Sequence, residues 1–297
     1  MRCLIQCTIL VCTLFYSVIS YGQSEDLFMR IWKAKEEVNL SEKSLENFNE
    51  FKQEKTELLA QIKQLEDSYY KKLENGAKDE ILKKKILKLY ERKHHLIDDI
   101  KSQAVKNKDE ALFLELTEHV RPKDLKAFLK NVKLSESQSE LYKIWLDAIQ
   151  FTANGSQLKD FALWDKNGTK VKTTNLKGKI FWIDSWASKC GPCIKKLKQM
   201  QSIYKQYHPK GFEILALSWD YTLRGYIKTM DAAKADWIKV MNKHEFNWLN
   251  VFDTGDQIMG DQFGSVGKNI LVDEKGIIIG FDLHPLEIER ILEQKHQ

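Results

Sequence analysis

A strand from Lys179 to Trp186 runs, within four residues, into Cys190-Gly191-Pro192-Cys193. From Pro192 to Tyr207 the apolar side chains return at helical period. Phe181, Trp182, Ile183 and Trp186 sit on both faces of the strand, so it has to be covered on both sides, as strands of α/β layers are. The rest of the C-terminal half fits such a layer. Asp160–Trp164 and Lys170–Lys172 read as two short strands around the turn Asp165-Lys166-Asn167-Gly168. Phe212–Ser218 reads as a strand, Ala232–His244 as a helix and Ile270–Asp273 as a strand. Glu274-Lys275-Gly276 turns the chain into Ile277–Phe281, and Leu286–Glu293 closes it as a helix. Strands alternating with helices, then a closing hairpin and helix, predict a mixed central sheet flanked by helices.

The N-terminal half has a different grammar. From residue 24 to about 150 proline is nearly absent, with Pro122 alone. Leu58, Ile62, Leu65, Tyr69 and Leu73 recur at steps of three and four, as do Leu82, Ile86 and Leu89. Asn75-Gly76 between the two runs signals a turn, so a helical hairpin is expected. Shorter helices are expected over Asp109–Val120, Lys123–Val132 and Ser137–Gln150, the last with Ser137 and Glu140 placed for a capping box. The composition shift at Thr152-Ala153-Asn154-Gly155-Ser156 marks a boundary. The expected organisation is an all-α domain over 23–150 and an α/β domain over 151–297.

Residues 1–22 differ from both. Arg2 precedes an apolar stretch from Leu4 to Ile19, and Ser20-Tyr21-Gly22 supplies small residues before Gln23. This is the layout of a secretory signal peptide. The alternative is an uncleaved anchor, for which the apolar stretch is short against the roughly 20 residues of a span. Cleavage removes Cys3, Cys7 and Cys12, leaving Cys190 and Cys193 as the only thiols. A bridge across two residues closes too small a loop to stabilise much. The pair is therefore read as chemical rather than structural.

The net charge of +5 over 297 residues is mild and dispersed. It does not argue for nucleic acid, and no nucleic-acid-binding motif is present. No histidine pair has zinc-ligand spacing and no glycine-rich phosphate loop occurs. His94-His95 falls on a charged helix and reads as solvated. Trp219, Trp237 and Trp248 read as core. No cofactor is expected beyond a redox-active disulfide.

Dithiol exchange needs one sulfur as thiolate to attack a disulfide and a second to resolve the mixed disulfide. Cys190 precedes a helix whose free N–H groups and partial positive charge favour a thiolate. Lys189, Lys195 and Lys196 push the same way, weakly if solvated. Pro192 suits the first turn of a helix. Cys190 is thus the expected nucleophile and Cys193 the more buried, resolving thiol.

The stretch Phe181-Trp182-Ile183-Asp184-Ser185-Trp186-Ala187-Ser188-Lys189-Cys190-Gly191-Pro192-Cys193 resembles the active-site run of thioredoxins, and more closely that of the TlpA/ResA-like thiol-disulfide oxidoreductases. Gly155–Leu163, Leu176-Lys177-Gly178-Lys179, Lys210–Ser218 and Asn269–Gly276 extend the likeness over about residues 152–297. The resemblance implies a thioredoxin-like fold and an exported, periplasmic location. It implies partners among exported proteins with disulfides, and a membrane electron donor. It also gives Asp184 the place of a buried acid that helps deprotonate the resolving cysteine. Trp186 would pack beside the site or touch substrate, and Lys189, Gly191, Pro192, Val266 and Gly267 would border it.

Three positions depart from the pattern. Gly267 stands where the family has a cis-proline opposite the dithiol, Lys189 replaces a tryptophan, and Lys198 replaces a helix-kinking proline. The first leaves a rival open, a binding or scaffold protein whose helical domain docks a partner. It also leaves open a dithiol that binds a soft metal. A peroxidase of the peroxiredoxin kind is disfavoured, because Ile183 and Ala187 stand where its motif needs Pro and Thr or Ser.

Overall fold

The computed structural model describes residues 34, 40–116, 119–120, 122–133, 139, 142–143, 146, 154–221, 229–254 and 267–296. The expected signal segment, the capping box of Ser137 and Glu140, and Val266 lie outside the described residues. The chain divides into two compact units, within residues 29–146 and 147–297.

The first unit is helical. α1 (Glu42–Glu74) starts at Ser41, whose hydroxyl accepts from the Ser44 N–H. α2 (Glu80–Asn107) starts at Asp79, capping Leu82, and α3 (Glu110–Glu115) at Asp109, capping Leu112. Each cap satisfies an N–H that the helix cannot, an effect worth about 1 kcal/mol. α4 spans Pro122–Leu129. Asn75 and Gly76, the latter at φ +79°, turn α1 into α2 where the sequence signals it. Phe51, Leu58, Ile62 and Tyr69 of α1 and Ile86, Tyr90, Ile100 and Ala104 of α2 are buried. The Tyr90 hydroxyl donates to buried Glu66 at 2.7 Å, which keeps a polar pair inside that seam. No helix among the described residues is long and apolar enough to cross a membrane.

The second unit is a seven-stranded mixed sheet with helices packed on it. Its elements are β1 (Ala162–Asp165), β2 (Lys170–Lys172), β3 (Ile180–Trp186), α5 (Gly191–Tyr207), β4 (Phe212–Ser218), α6 (Met230–His244), β5 (Leu249–Phe252), β6 (Asn269–Val272), β7 (Ile278–Phe281) and α7 (Pro285–Lys295). The strand order is β2-β1-β5-β4-β3-β6-β7. β3, β4 and β5 are parallel, and β1, β6 and β7 join antiparallel. Every residue of β3 and β4 is buried. Trp182, Trp186, Ile214 and Ala216 face a core with Leu197 and Met200 of α5 and Trp237 of α6. Phe181, Ile183, Leu215 and Leu217 face a second core with Leu163, Val251 and Ile270. These two cores account for the apolar character of β3 on both of its sides.

The structure adds β5, which sequence periodicity did not reveal. It also runs α5 unbroken from Gly191 to Tyr207, with Lys198 inside it.

Candidate active site

The site forms where β3 ends. Ala187 to Cys190 is a tight turn, the Cys190 N–H donating to the Ala187 carbonyl at 3.0 Å. Cys190 is the N-cap of α5, and the N–H of Cys193 points at its sulfur at 3.3 Å. Gly191 and Pro192 are the first helical residues and are exposed. Cys190 and Cys193 form a disulfide, with Cα atoms 5.3 Å apart. Cys193 is 2% exposed, whereas Cys190 is only half-buried. An accessible sulfur at a helix N-terminus backed by an enclosed one is the asymmetry that exchange requires.

Asp184 lies within β3 in register with Ala216 of β4 and Asn269 of β6, and it is fully buried. Burial pushes its carboxyl up to about 7, against the pull of the Lys196 ammonium. Lys196 corrects an expectation. It is not a solvated lysine beside the thiolate but is 16% exposed, with Nζ 2.5 Å from Asp184 Oδ1. The same ammonium donates to the Gly267 carbonyl at 2.6 Å and lies 5.8 Å from the Trp182 ring centroid. Lys189 is also engaged, with Asp236 of α6 at 3.1 Å.

Gly267 sits against the enclosed sulfur. A Cβ on it would lie 3.7 Å from Cys193 Sγ. Its φ of +89° is one that L side chains rarely adopt. Its N–H donates to the Ser185 carbonyl at 2.6 Å, and Ser185 N–H and Oγ–H both donate to the Lys268 carbonyl. The loop is thus fastened to β3 one residue from Asp184, and both polar groups of the Gly267 backbone are used inside the protein. Trp186 is fully buried, with its ring edge-on to Phe246 at 6.0 Å. Trp219, Trp237 and Trp248 are likewise buried.

The inward pairing of Lys196 and the whole of Asp220 escaped sequence reasoning. Lys196 shares a helix face with Cys193 and Met200, so its inward direction was readable from the period of α5. Asp220, just beyond β4, is fully buried and binds Ser188 of the turn before Cys190. Its signal was faint, one acid following an apolar strand. Among the described residues no cluster of three or more His, Cys, Asp and Glu is placed to hold a metal ion.

The Redoxin family model matches residues 153–294. A thiol-disulfide oxidoreductase ResA of Bacillus thuringiensis is 29% identical over 126 residues, covering 42% of this chain and 66% of that protein. The Bacillus subtilis protein of the same name is 35% identical over 66 residues, covering 22% and 37%. The chain therefore spans just under two thirds, at 66%, of the longer-matching relative. A crystal structure of a thioredoxin-like protein from Bacteroides caccae superposes with a TM-score of 0.53 at 16% identity, over 71% of this chain and 83% of that one. That last likeness is one of fold. The C-terminal part of the chain has a thioredoxin-like fold, and its residues 153–294 are similar to the Redoxin family.

Proposed function

We propose that the chain is an exported thiol-disulfide oxidoreductase that reduces disulfides of other exported proteins and is recharged by a membrane electron donor. The observation that carries the reading is the unequal exposure of two bonded sulfurs at the head of α5, with an ion-paired buried acid one strand residue from the loop that covers them. In the reduced protein the Cys190 thiolate attacks a substrate disulfide, forming a mixed disulfide and releasing one substrate thiolate. Asp184 takes the proton of Cys193. The Cys193 thiolate then attacks Cys190 Sγ, the Cys190–Cys193 bond re-forms, and the second substrate thiolate leaves. Two electrons pass from the dithiol to the substrate, and no further cofactor enters the cycle. Lys189, Gly191 and Pro192 are exposed around Cys190, and with Gly267 they make up the surface assigned to substrate, to which the sequence also assigns Val266, outside the described residues.

The N-terminal layout of residues 1–22 supports export by a signal peptide, with 23–150 as a helical domain and 151–297 as the redox domain. The dithiol reading is tested by two variants. Cys190→Ser is expected to abolish turnover of a protein disulfide. Cys193→Ser is expected to accumulate a covalent complex seen on non-reducing gels. Turnover by Cys190→Ser equal to that of the unaltered protein would refute it.

A further inference from the structure

We propose that Asp220 is a positioning residue for the nucleophile, holding the Ser188-Lys189 turn so that Cys190 presents its sulfur as the cap of α5. The inference rests on the reading of Cys190 as the attacking thiol. Asp220 follows β4, which runs parallel to β3 with Ser218 opposite Trp186. The Trp219 N–H donates to the Trp186 carbonyl at 2.9 Å, carrying the end of β4 alongside the end of β3. Two residues further, the Ser188 N–H donates to both carboxylate oxygens of Asp220, at 2.9 and 3.1 Å. The Ser188 hydroxyl donates to the same carboxylate, and the Ser218 hydroxyl donates at 2.8 Å.

Asp220 is fully buried, and no cation among the described residues is ion-paired with it. A buried carboxylate without a counter-charge is costly unless its hydrogen bonds offset the loss of water. Among the described residues the donors that offset it are the two serines, and one of them is a corner of the turn that ends at Cys190. A core acid that served packing alone would have no reason to spend its acceptors there. Nearby, Asp236 pairs with Lys189, the other corner residue, and the Cys190 N–H closes the turn on Ala187. Every residue from Ala187 to Lys189 is therefore held by a named partner. The last contact in the series is the Cys193 N–H on Cys190 Sγ, the contact a thiolate would use.

The test is the rate of alkylation of Cys190 in the reduced protein, measured against pH, with folding followed by circular dichroism. Asp220→Ala removes every acceptor. Asp220→Asn removes the charge but keeps an oxygen for the Ser188 N–H. The Ala variant is expected to lose about tenfold in rate at neutral pH and to shift its profile to higher pH, as one unit of lost thiolate stabilisation requires. The Asn variant is expected to stay within about twofold of the unaltered protein, because a neutral amide still accepts that bond. A folded Ala variant whose profile overlays the unaltered one overturns the proposal. So does equal displacement of the Ala and Asn variants, which would make charge rather than position the cause. If the Ala variant does not fold, Ser188→Ala, which loses only the hydroxyl contact, is expected to shift the profile in the same direction by less. No shift there also overturns the proposal. Should the unaltered protein fail to reduce any protein disulfide while these differences hold, the functional reading falls and the role of Asp220 stands.

Discussion

Burial raises the Asp184 carboxyl and the Lys196 ammonium draws it back, with Asp282 adding a smaller upward push. The balance, at about 7, puts the group where it can both take and give a proton near neutrality. Lys196→Met leaves burial unopposed, so the carboxyl should rise further and stay protonated at neutral pH. Cys193 then keeps its proton, and the mixed disulfide should persist. In single-turnover measurements the resolution step of Lys196→Met is expected to move to higher pH, with Lys196→Arg near the unaltered profile. Superposed profiles would exclude this role for Lys196. Among these residues, Cys190, Cys193 and Asp184 were legible because motif and strand pattern mark them. Lys196 was not, because a lysine in a lysine-rich helix reads as solvated unless its face is followed turn by turn.

At the scale of elements, β3, β4 and α5 were readable almost to the residue, since long apolar runs and the Gly-Pro start leave little freedom. β5 was missed. Its four residues include Asn250, and the strand is buried only because β1 and β4 close on it from either side. The Asn250 amide nitrogen donates to the Phe246 and Trp248 carbonyls, a pairing that local sequence does not announce. α7 begins one residue earlier than its apolar period suggests. His284 is its N-cap and forms a reciprocal box with Glu287, a role more often held by Ser, Thr or Asp. The loop entering β6 offers a test at this scale. Gly267→Ala meets only ordinary contact with Cys193 Sγ, so its cost is that of the backbone. A loss of about 1–2 kcal/mol in denaturant unfolding is expected from a side chain forced into that region. An unchanged midpoint would show that the loop relaxes to another φ.

For the molecule as a whole, the buried acid links stability to pH. Asp184 has a folded pKa of about 7, above the ordinary carboxyl value of 3.8. Between those limits the folded state holds a proton that the unfolded chain has released. Its contribution is therefore full below the lower value and declines as the pH rises through the upper one, at roughly 1.4 kcal/mol per pH unit. Asp184→Asn should flatten the fall in stability across this window, measured as denaturant midpoints at a series of pH values. A slope as steep as that of the unaltered protein would assign the proton to another group. The division into a helical and an α/β half was visible in composition, because proline scarcity and three-to-four spacing give way to alternation near residue 152. What composition could not convey is how the polar residues inside the second half are paired, since those partners come from strands far apart in the chain.

The pair of Lys196 and Asp184 has one more consequence for the proposed cycle. Before resolution the enclosed groups are a carboxylate, an ammonium and a thiol, which sum to zero. After the proton moves they are a carboxylic acid, an ammonium and a thiolate, which again sum to zero. The negative charge crosses from oxygen to sulfur while the cation stays in place, so the interior changes the owner of a charge without gaining one. A step of this kind asks little of the surrounding water, and the site can remain closed while it happens.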